Sequence, residues 1–554
     1  MKQKGENMSK IKIFSLGGLN ETGKNMYIVD VDNDIFVLDA GLKYADDKML
    51  GIDYIIPNFD YLKENKNRVK GIFITHGHDG QMGAVSEIIE SIPEINIYGT
   101  EFTIEILKEE LKESNIKSDN LHVIEPHRNL KFGKVSIFPI SVTHSVPGSV
   151  CYVIDTEDGA IVYTGNFVFD QTMQGEYKTD IGKLAYVGKK GVLCLMSESI
   201  YAEKKGYTAP NNRITQVITK TLDQNEGRII FNISQTQFYR IQELFEEIMK
   251  TDRKVVILGK RLENMIYNAI DMKYIDFDKK KIGSIKNIND KNVVVIVSDE
   301  REKPFSNISR IIKGYDKFLK IKEEDTVVFA SPVYEGMERR ATKVYDDVSK
   351  IGPNLIIISQ SYLSNHASSE DLMMMINLMN PKYYFPVIGE YRQQVENANN
   401  AKKIGYNDSN IILKLNGMVT EFQNGKLVET NETVKIDEIL IDGKTIGDIS
   451  ELVIKDRELL SDNGIVLVSA TLDKKTKKIL AGPEILTRGF IYVKENIDII
   501  KEAEKISLEV INENIKNNYV EFNKIKLGIR EKLGKYLYKE TECKPMILIV
   551  MQEV

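Results

Sequence analysis

The chain has 554 residues, 42% of them hydrophobic and 28% charged, which excludes disordered and collagen-like chains and leaves room for about three or four folding units. Its 75 basic and 81 acidic residues give a net charge of −6, which argues against holding nucleic acid by a global positive field and leaves only a local basic groove. Apolar runs are too short to cross a bilayer, MKQKGENMSK has no apolar core behind its lysines, and Cys151, Cys194 and Cys543 have no paired spacing, so a cytoplasmic protein without a disulfide framework is expected.

The first 200 or so residues read as short strands joined by tight turns. IKIFSLGG precedes MYIVDVDNDIFVLDAGL, with a hairpin turn at Asp32-Asn33-Asp34 between two β-rich runs. VKGIFIT reads as a buried strand ending at His76, MGAVSEIIESI as a helix, KVSIFPISVTHS as a strand, and VCYVIDTEDGAIVYTGNF as a hairpin turning at Asp158-Gly159. Strands first, with helices outside, predict a sheet sandwich covered by helices. From about residue 208 strand and helix alternate: RIIFNIS, KVVILG, NVVVIVS and DTVVFAS are buried parallel-type strands. LIIISQ then returns to strand, and SSEDLMMMINLMN is a helix with Ser368 as N-cap, Asp371 at its third position and Leu372, Met375, Ile376 and Met379 on one apolar face. After roughly residue 430 a small α+β domain follows, and no internal repeat stands out.

Histidine is scarce, at His76, His78, His122, His127, His144 and His366, so histidine chemistry must come from these six. Thr75-His76-Gly77-His78-Asp79 leaves a buried strand with two imidazoles able to face one metal ion, and His144 follows another strand. Three imidazoles with an open fourth position make a competent zinc site; the alternative is histidines satisfied by loop hydrogen bonds. His122 and His127 read as surface or loop residues, and Lys279-Lys280-Lys281 as a solvated turn.

LGGLNETGKNMYIV, LDAGL, ITHGHDGQMGA, VTHSVPGSV, YTGNFVFDQT, SES…GYT, LSNHAS, NPKYYFPVIGEYR and AGPEILTRGFIYV together resemble the metallo-β-lactamase family, in the β-CASP branch that processes nucleic acids, and most closely the ribonuclease J family. The resemblance implies an α/β and α+β multidomain protein. An αββα metallo-β-lactamase domain (1–207 and 356–430) is interrupted by an α/β β-CASP insertion (208–355); a linker (431–450) and a C-terminal domain (451–554) that supports oligomerisation follow. It also implies that Asp39 organises the site loops.

Set against the family's motifs, the chain departs at the metal site. The family's H-x-H-x-D-H has Gly80 and Gln81 in its last two positions, the bridging aspartate is Asn166, and the last metal histidine is Ile388. Carried over residue by residue, one metal keeps His76, His78 and His144, whereas the other loses its ligands: Gly80 and Ile388 offer no donor and Gln81 only a neutral carbonyl oxygen. Two cations about 3.5–4 Å apart need anionic bridging, so a two-metal centre is not expected, and one weak site for zinc or manganese remains.

In the family's phosphate-binding stretch this chain has Tyr362-Leu363-Ser364-Asn365-His366, so Ser364 and His366 survive beside Asn365; Thr236 stands for a phosphate-contacting serine, with Arg240 following it. Asp299-Glu300-Arg301-Glu302-Lys303-Pro304 replaces a glycine-rich segment and would repel phosphate, and Tyr201 is placed to stack on a base or to pack at the surface. An intact fold with lost metal ligands resembles the degenerate paralogue of low-GC Gram-positive bacteria. That resemblance implies a partner of the active paralogue, in hetero- or homo-oligomers, in 5′-to-3′ RNA decay and ribosomal RNA maturation, with RNA rather than DNA or membrane as ligand. Two alternatives stay open: a slow single-metal ribonuclease, and a non-catalytic RNA- or protein-binding module.

Overall fold

The structure, a computed structural model, describes residues 9–46, 49–208, 213–299, 305–334, 336–443, 445–446, 451–492, 495–516 and 519–554. The chain divides into two compact units, one of residues up to 44 plus 55–439 and one of 45–54 plus 440–554.

In the first unit an eight-stranded sheet and a six-stranded sheet are both mixed. The first runs from Lys426–Val428 through Thr420–Gln423, Lys10–Gly17, Met26–Val31, Asp34–Leu38, Val69–Phe73 and Ile97–Gly99 to Leu121–Val123. The second runs from Tyr383–Pro386 through Val192–Ser197, Gly159–Tyr163, Val150–Thr156 and Val135–Ser141 to Leu130–Phe132. Their facing side chains form one core, with Ile11, Ile13, Val29, Phe36 and Phe73 from one sheet and Tyr152, Ile154, Ile161 and Met196 from the other. Successive strand residues point to opposite faces, so Cys151, Val153 and Val162 face the other way, onto the apolar side of the helices Ile181–Lys190 and Ser369–Met379. Ser368 and Asp371 form the expected capping box, and Leu372, Met375, Ile376 and Met379 are fully buried. The expected sheet sandwich with helices outside is thus present.

The inserted domain is a five-stranded parallel sheet in the order Lys254–Leu258, Val293–Val297, Ile229–Asn232, Thr326–Phe329 and Asn354–Ile357. Every residue of Val293–Val297 is buried, as a parallel strand covered on both faces requires. Asn354–Ile357 pairs with Thr326–Phe329, so the strand expected at LIIISQ forms and closes the inserted sheet just past the expected bound at residue 355. Of the lysine run, Lys279 and Lys280 form the expected exposed turn. Lys281 Nζ donates to the carbonyls of Ile248 at 3.1 Å and Met249 at 3.3 Å, capping the helix Phe238–Met249 where its dipole is negative.

In the second unit, Ile479–Arg488, Ile465–Leu472 and Met546–Glu553 form a three-stranded sheet. Val466, Val468, Ala470 and Leu472 alternate onto a core shared with the helices Ile497–Glu513 and Phe522–Thr541. The opposite face carries Leu486 and Leu548, which stay 49% and 38% exposed. Residues 45–54 join this unit because Asp53 accepts from the Gly443 N–H at 2.9 Å and Arg457 donates to the Leu50 carbonyl at 3.0 Å. No helix among the described residues is long and apolar enough to cross a membrane.

Candidate metal centre

The strand Val69–Phe73 delivers Thr75-His76-Gly77-His78 to the start of a short helix, Asp79–Met82. The turn closes tightly against the helix Glu101–Glu113, for a Cβ on Gly77 would lie 2.6 Å from Ile106 Cδ1. His144 arrives from the end of Val135–Ser141. The ring centroids of His76 and His78 and of His76 and His144 are 4.6 Å apart, and those of His78 and His144 are 4.9 Å apart. Among the described residues this is the one cluster of three or more potential ligands, with one ligand atom of each within 4.8 Å of the others.

Hydrogen bonds set the tautomer of each ring. Asp39, at φ 60°, accepts from the Thr75 N–H at 2.7 Å, the Thr75 hydroxyl at 3.0 Å and the Tyr163 hydroxyl at 2.7 Å. Having given its proton to Asp39, the Thr75 hydroxyl accepts from His76 Nδ1 at 2.9 Å, which leaves Nε2 bare. That nitrogen is buried with no partner among the described residues. His144 Nδ1 donates to the Asn365 carbonyl at 3.0 Å and His78 Nε2 to the Thr236 carbonyl at 3.2 Å. The remaining nitrogens, His144 Nε2 and His78 Nδ1, face each other at 3.4 Å with no proton between them. Three lone pairs converge with no donor among them, an arrangement that suits a cation, and each ligating histidine has the outer hydrogen bond such sites use.

Burial, reinforced by the neighbouring imidazoles, holds His76 and His144 well below the ordinary histidine value, and burial holds His78 at about 4. The rings are therefore neutral and ready to ligate near pH 7. Below the unfolded value of about 6.5, the unfolded chain binds protons that the folded chain refuses, so stability falls as pH drops through the window from about 6.5 to 4. Chelated protein is expected to lose about 3 kcal/mol through His78 alone across that window, as denaturant titrations at pH 7.5, 6 and 5 would show; equal stabilities at these pH values would contradict the burial argument.

The other half of the site has no such convergence. The Gly80 carbonyl accepts from the Asn25 N–H at 3.2 Å and Asn25 Nδ2 at 2.9 Å, while a Cβ there would meet nothing closer than 3.7 Å. Gln81 is buried, and its main-chain carbonyl accepts from the Ala40 N–H at 2.6 Å. Asn166 Oδ1 is buried with no partner among the described residues. Ile388 sits in the apolar core at φ 51°, its N–H donating to the Tyr27 hydroxyl at 3.0 Å. Asp79, one position before Gly80, accepts from the Tyr44 hydroxyl and lies outside the ligand cluster.

Beside the cluster, His366 Nδ1 lies 2.8 Å from Glu198 Oε2, and the His366 ring is 5.7 Å from that of His144. Glu198 is fully buried and also accepts from the Phe167 N–H at 2.7 Å. The sequence reading missed it; a carboxylate directly after the buried strand Val192–Ser197 was the available signal. The Ser364 hydroxyl donates to the Gln360 carbonyl at 3.1 Å, and the Thr236 hydroxyl lies 2.8 Å from that of Ser234. Arg240 is 1% exposed, paired with Glu243 at 2.7 Å and donating to the Tyr362 carbonyl, so its charge braces loops inside the protein. Tyr201 carries Lys204 Nζ 3.0 Å from its ring centroid and meets His366 edge-on at 5.4 Å. Asp299 accepts from the N–H groups of Phe305 at 2.8 Å and Asn307 at 2.7 Å, and burial raises it to about 6; the rest of its acidic segment, residues 300–304, lies outside the described residues. His127 is a loop residue 3.2 Å from Asp180. His122 is a partly exposed residue of the edge strand Leu121–Val123, stacked on Tyr98 at 4.8 Å and bonded to Asn96 at 2.9 Å.

Comparison with known proteins agrees with this architecture. Family models match as metallo-beta-lactamase superfamily over residues 19–182, the beta-CASP domain of ribonuclease J over 226–348, the RNA specificity domain of Zn-dependent metallo-hydrolases over 356–412 and the ribonuclease J C-terminal domain over 452–554. A solved protein of unknown function from Enterococcus faecalis V583 shares the fold, with a TM-score of 0.52 at 15% identity over 74% of this chain and 100% of that one. Ribonuclease J 2 of Staphylococcus epidermidis is 37% identical over 98% of both chains. Ribonuclease J 2 of Staphylococcus aureus is 38% identical, again over 98% of both, and with lactamase, β-CASP and C-terminal domains in the matching order the chain belongs to the ribonuclease J family.

Proposed function

We propose that this chain is an RNA-binding, single-metal member of its family that acts mainly as a scaffold or modulator of an active paralogue in cytoplasmic RNA decay and maturation. The observation that carries the reading is the asymmetry of the site: three tautomer-set imidazoles on one side, and Gly80, Gln81, Asn166 and Ile388 on the other, without a carboxylate or imidazole among them. A zinc or manganese ion held by His76, His78 and His144 would supply Lewis acidity and a water of lowered pKa. The chain itself has no carboxylate at position 80 to take the proton of that water, and Asn166 gives a neutral oxygen where phosphodiester hydrolysis needs anionic charge. Ser364, Asn365, His366 and Thr236 remain as the RNA-facing group.

His76→Ala/His78→Ala tests the reading against the slow-ribonuclease alternative. On a 5′-monophosphorylated RNA, the parent and the double variant are expected to degrade equally slowly, within about twofold. A robust parental activity that the double variant lost would make the chain an enzyme in its own right. For association, the exposed apolar sheet face with Leu486 and Leu548 supports self-pairing or pairing with the paralogue. Leu486→Lys/Leu548→Lys should shift sedimentation, alone and with the paralogue, toward the monomer; unchanged assembly would count against that face.

A further inference from the structure

The two halves of the histidine cluster are steadied from different places. His76 is fixed within the lactamase sheets, through Thr75 and Asp39. His78 and His144 are fixed by main-chain carbonyls of two loops, Thr236 in the inserted domain at 3.2 Å and Asn365 ahead of the helix Ser369–Met379 at 3.0 Å. The insertion holds the neighbourhood at a second point as well, where the Tyr239 N–H donates to the Ser145 carbonyl at 2.9 Å. These loops also carry Ser364, His366 and Thr236, the RNA-binding candidates of the reading above.

We infer that Thr236 and Asn365 are positioning residues of the metal centre, acting through their carbonyls, and that they link metal occupancy to RNA occupancy. This rests on the proposed single-metal, RNA-binding function. A carbonyl held toward an imidazole N–H keeps the opposite nitrogen aimed and raises its basicity. An RNA phosphate that settles either loop therefore tightens the metal, and the metal, by fixing the rings, settles the loops for RNA. Linkage makes the two effects equal.

Cobalt(II) titration of the full chain, followed by visible absorption with and without a 5′-monophosphorylated RNA oligonucleotide, tests this. His76→Ala/His78→Ala subtracts cobalt held by the RNA itself. RNA is expected to tighten cobalt by at least about fivefold, and cobalt to tighten RNA by the same factor. Ser234→Ala removes the hydroxyl 2.8 Å from that of Thr236 and should lower cobalt affinity, while the denaturation of chelated protein shifts by no more than the about 1 kcal/mol of one lost hydrogen bond. If cobalt and RNA both bind and neither shifts the other beyond twofold, the link is wrong although the single-metal reading stands. If cobalt does not bind the histidines, that reading and the link fall together.

Discussion

Gly80→Asp/Gln81→His/Asn166→Asp/Ile388→His is expected to raise metal content from one ion per chain to two. The fold has kept the geometry that such a change needs. A Cβ at position 80 meets ordinary contact distances of 3.7 and 3.8 Å, so the backbone there does not bar a side chain. Asn166 already buries an unpaired acceptor oxygen, and aspartate there adds the charge that lets two cations approach. Ile388 occupies a left-handed backbone conformation at φ 51°, which costs a β-branched residue about 1–2 kcal/mol and which histidine adopts more readily. Histidine at 388 therefore relieves strain while supplying a ligand. Hydrolysis of 5′-monophosphorylated RNA should rise at least about a hundredfold, equivalent to about 2.7 kcal/mol of barrier. A count that stayed at one would show that these four positions do not frame the second site.

Asp39→Ala is expected to weaken metal binding by about 10–100-fold although Asp39 is not a ligand. Its carboxylate takes three buried donors, the Thr75 N–H, the Thr75 hydroxyl and the Tyr163 hydroxyl. Without it the Thr75 hydroxyl is free to turn its proton toward His76 Nδ1, which favours the wrong tautomer of the first ligand. Stranded donors cost about 1–3 kcal/mol each. Relief of the carboxylate's burial, which raises Asp39 to about 7, offsets part of that, and a net loss of about 3 kcal/mol at pH 8 is expected from denaturant titration. Asn tolerates the same left-handed backbone and keeps one acceptor, so Asp39→Asn should fall between the two. Parental cobalt affinity in Asp39→Ala would remove this residue from the metal account.

Much of the architecture could be read from residue type and spacing. Five consecutive β-branched residues at Val293–Val297 admit little but a parallel strand buried on both faces, and that is what forms. Ser368 and Asp371 announced the helix they cap, and Met375 and Met379 behind them fill the core. The three histidines of the cluster were legible because residues so scarce stood at the ends of strands. What stayed hidden has no signature in residue type. The carbonyls of Thr236 and Asn365 steady two of the rings, and any residue carries a carbonyl. Glu198 was hidden because its partners, Phe167, Ala367 and His366, are distant in sequence. The end of the inserted sheet at Ile357, just past the expected bound, was hidden because a strand's hydrogen-bonding neighbour is a tertiary choice, and Lys281 looked solvated because the helix end it caps lies thirty or so residues away.

Elemental analysis of the unmodified, freshly purified chain is the most direct test of the central claim. One zinc or manganese ion per chain, lost in His76→Ala/His78→Ala, is the result this account predicts; two ions per chain, with the second retained after mild chelation, would contradict it.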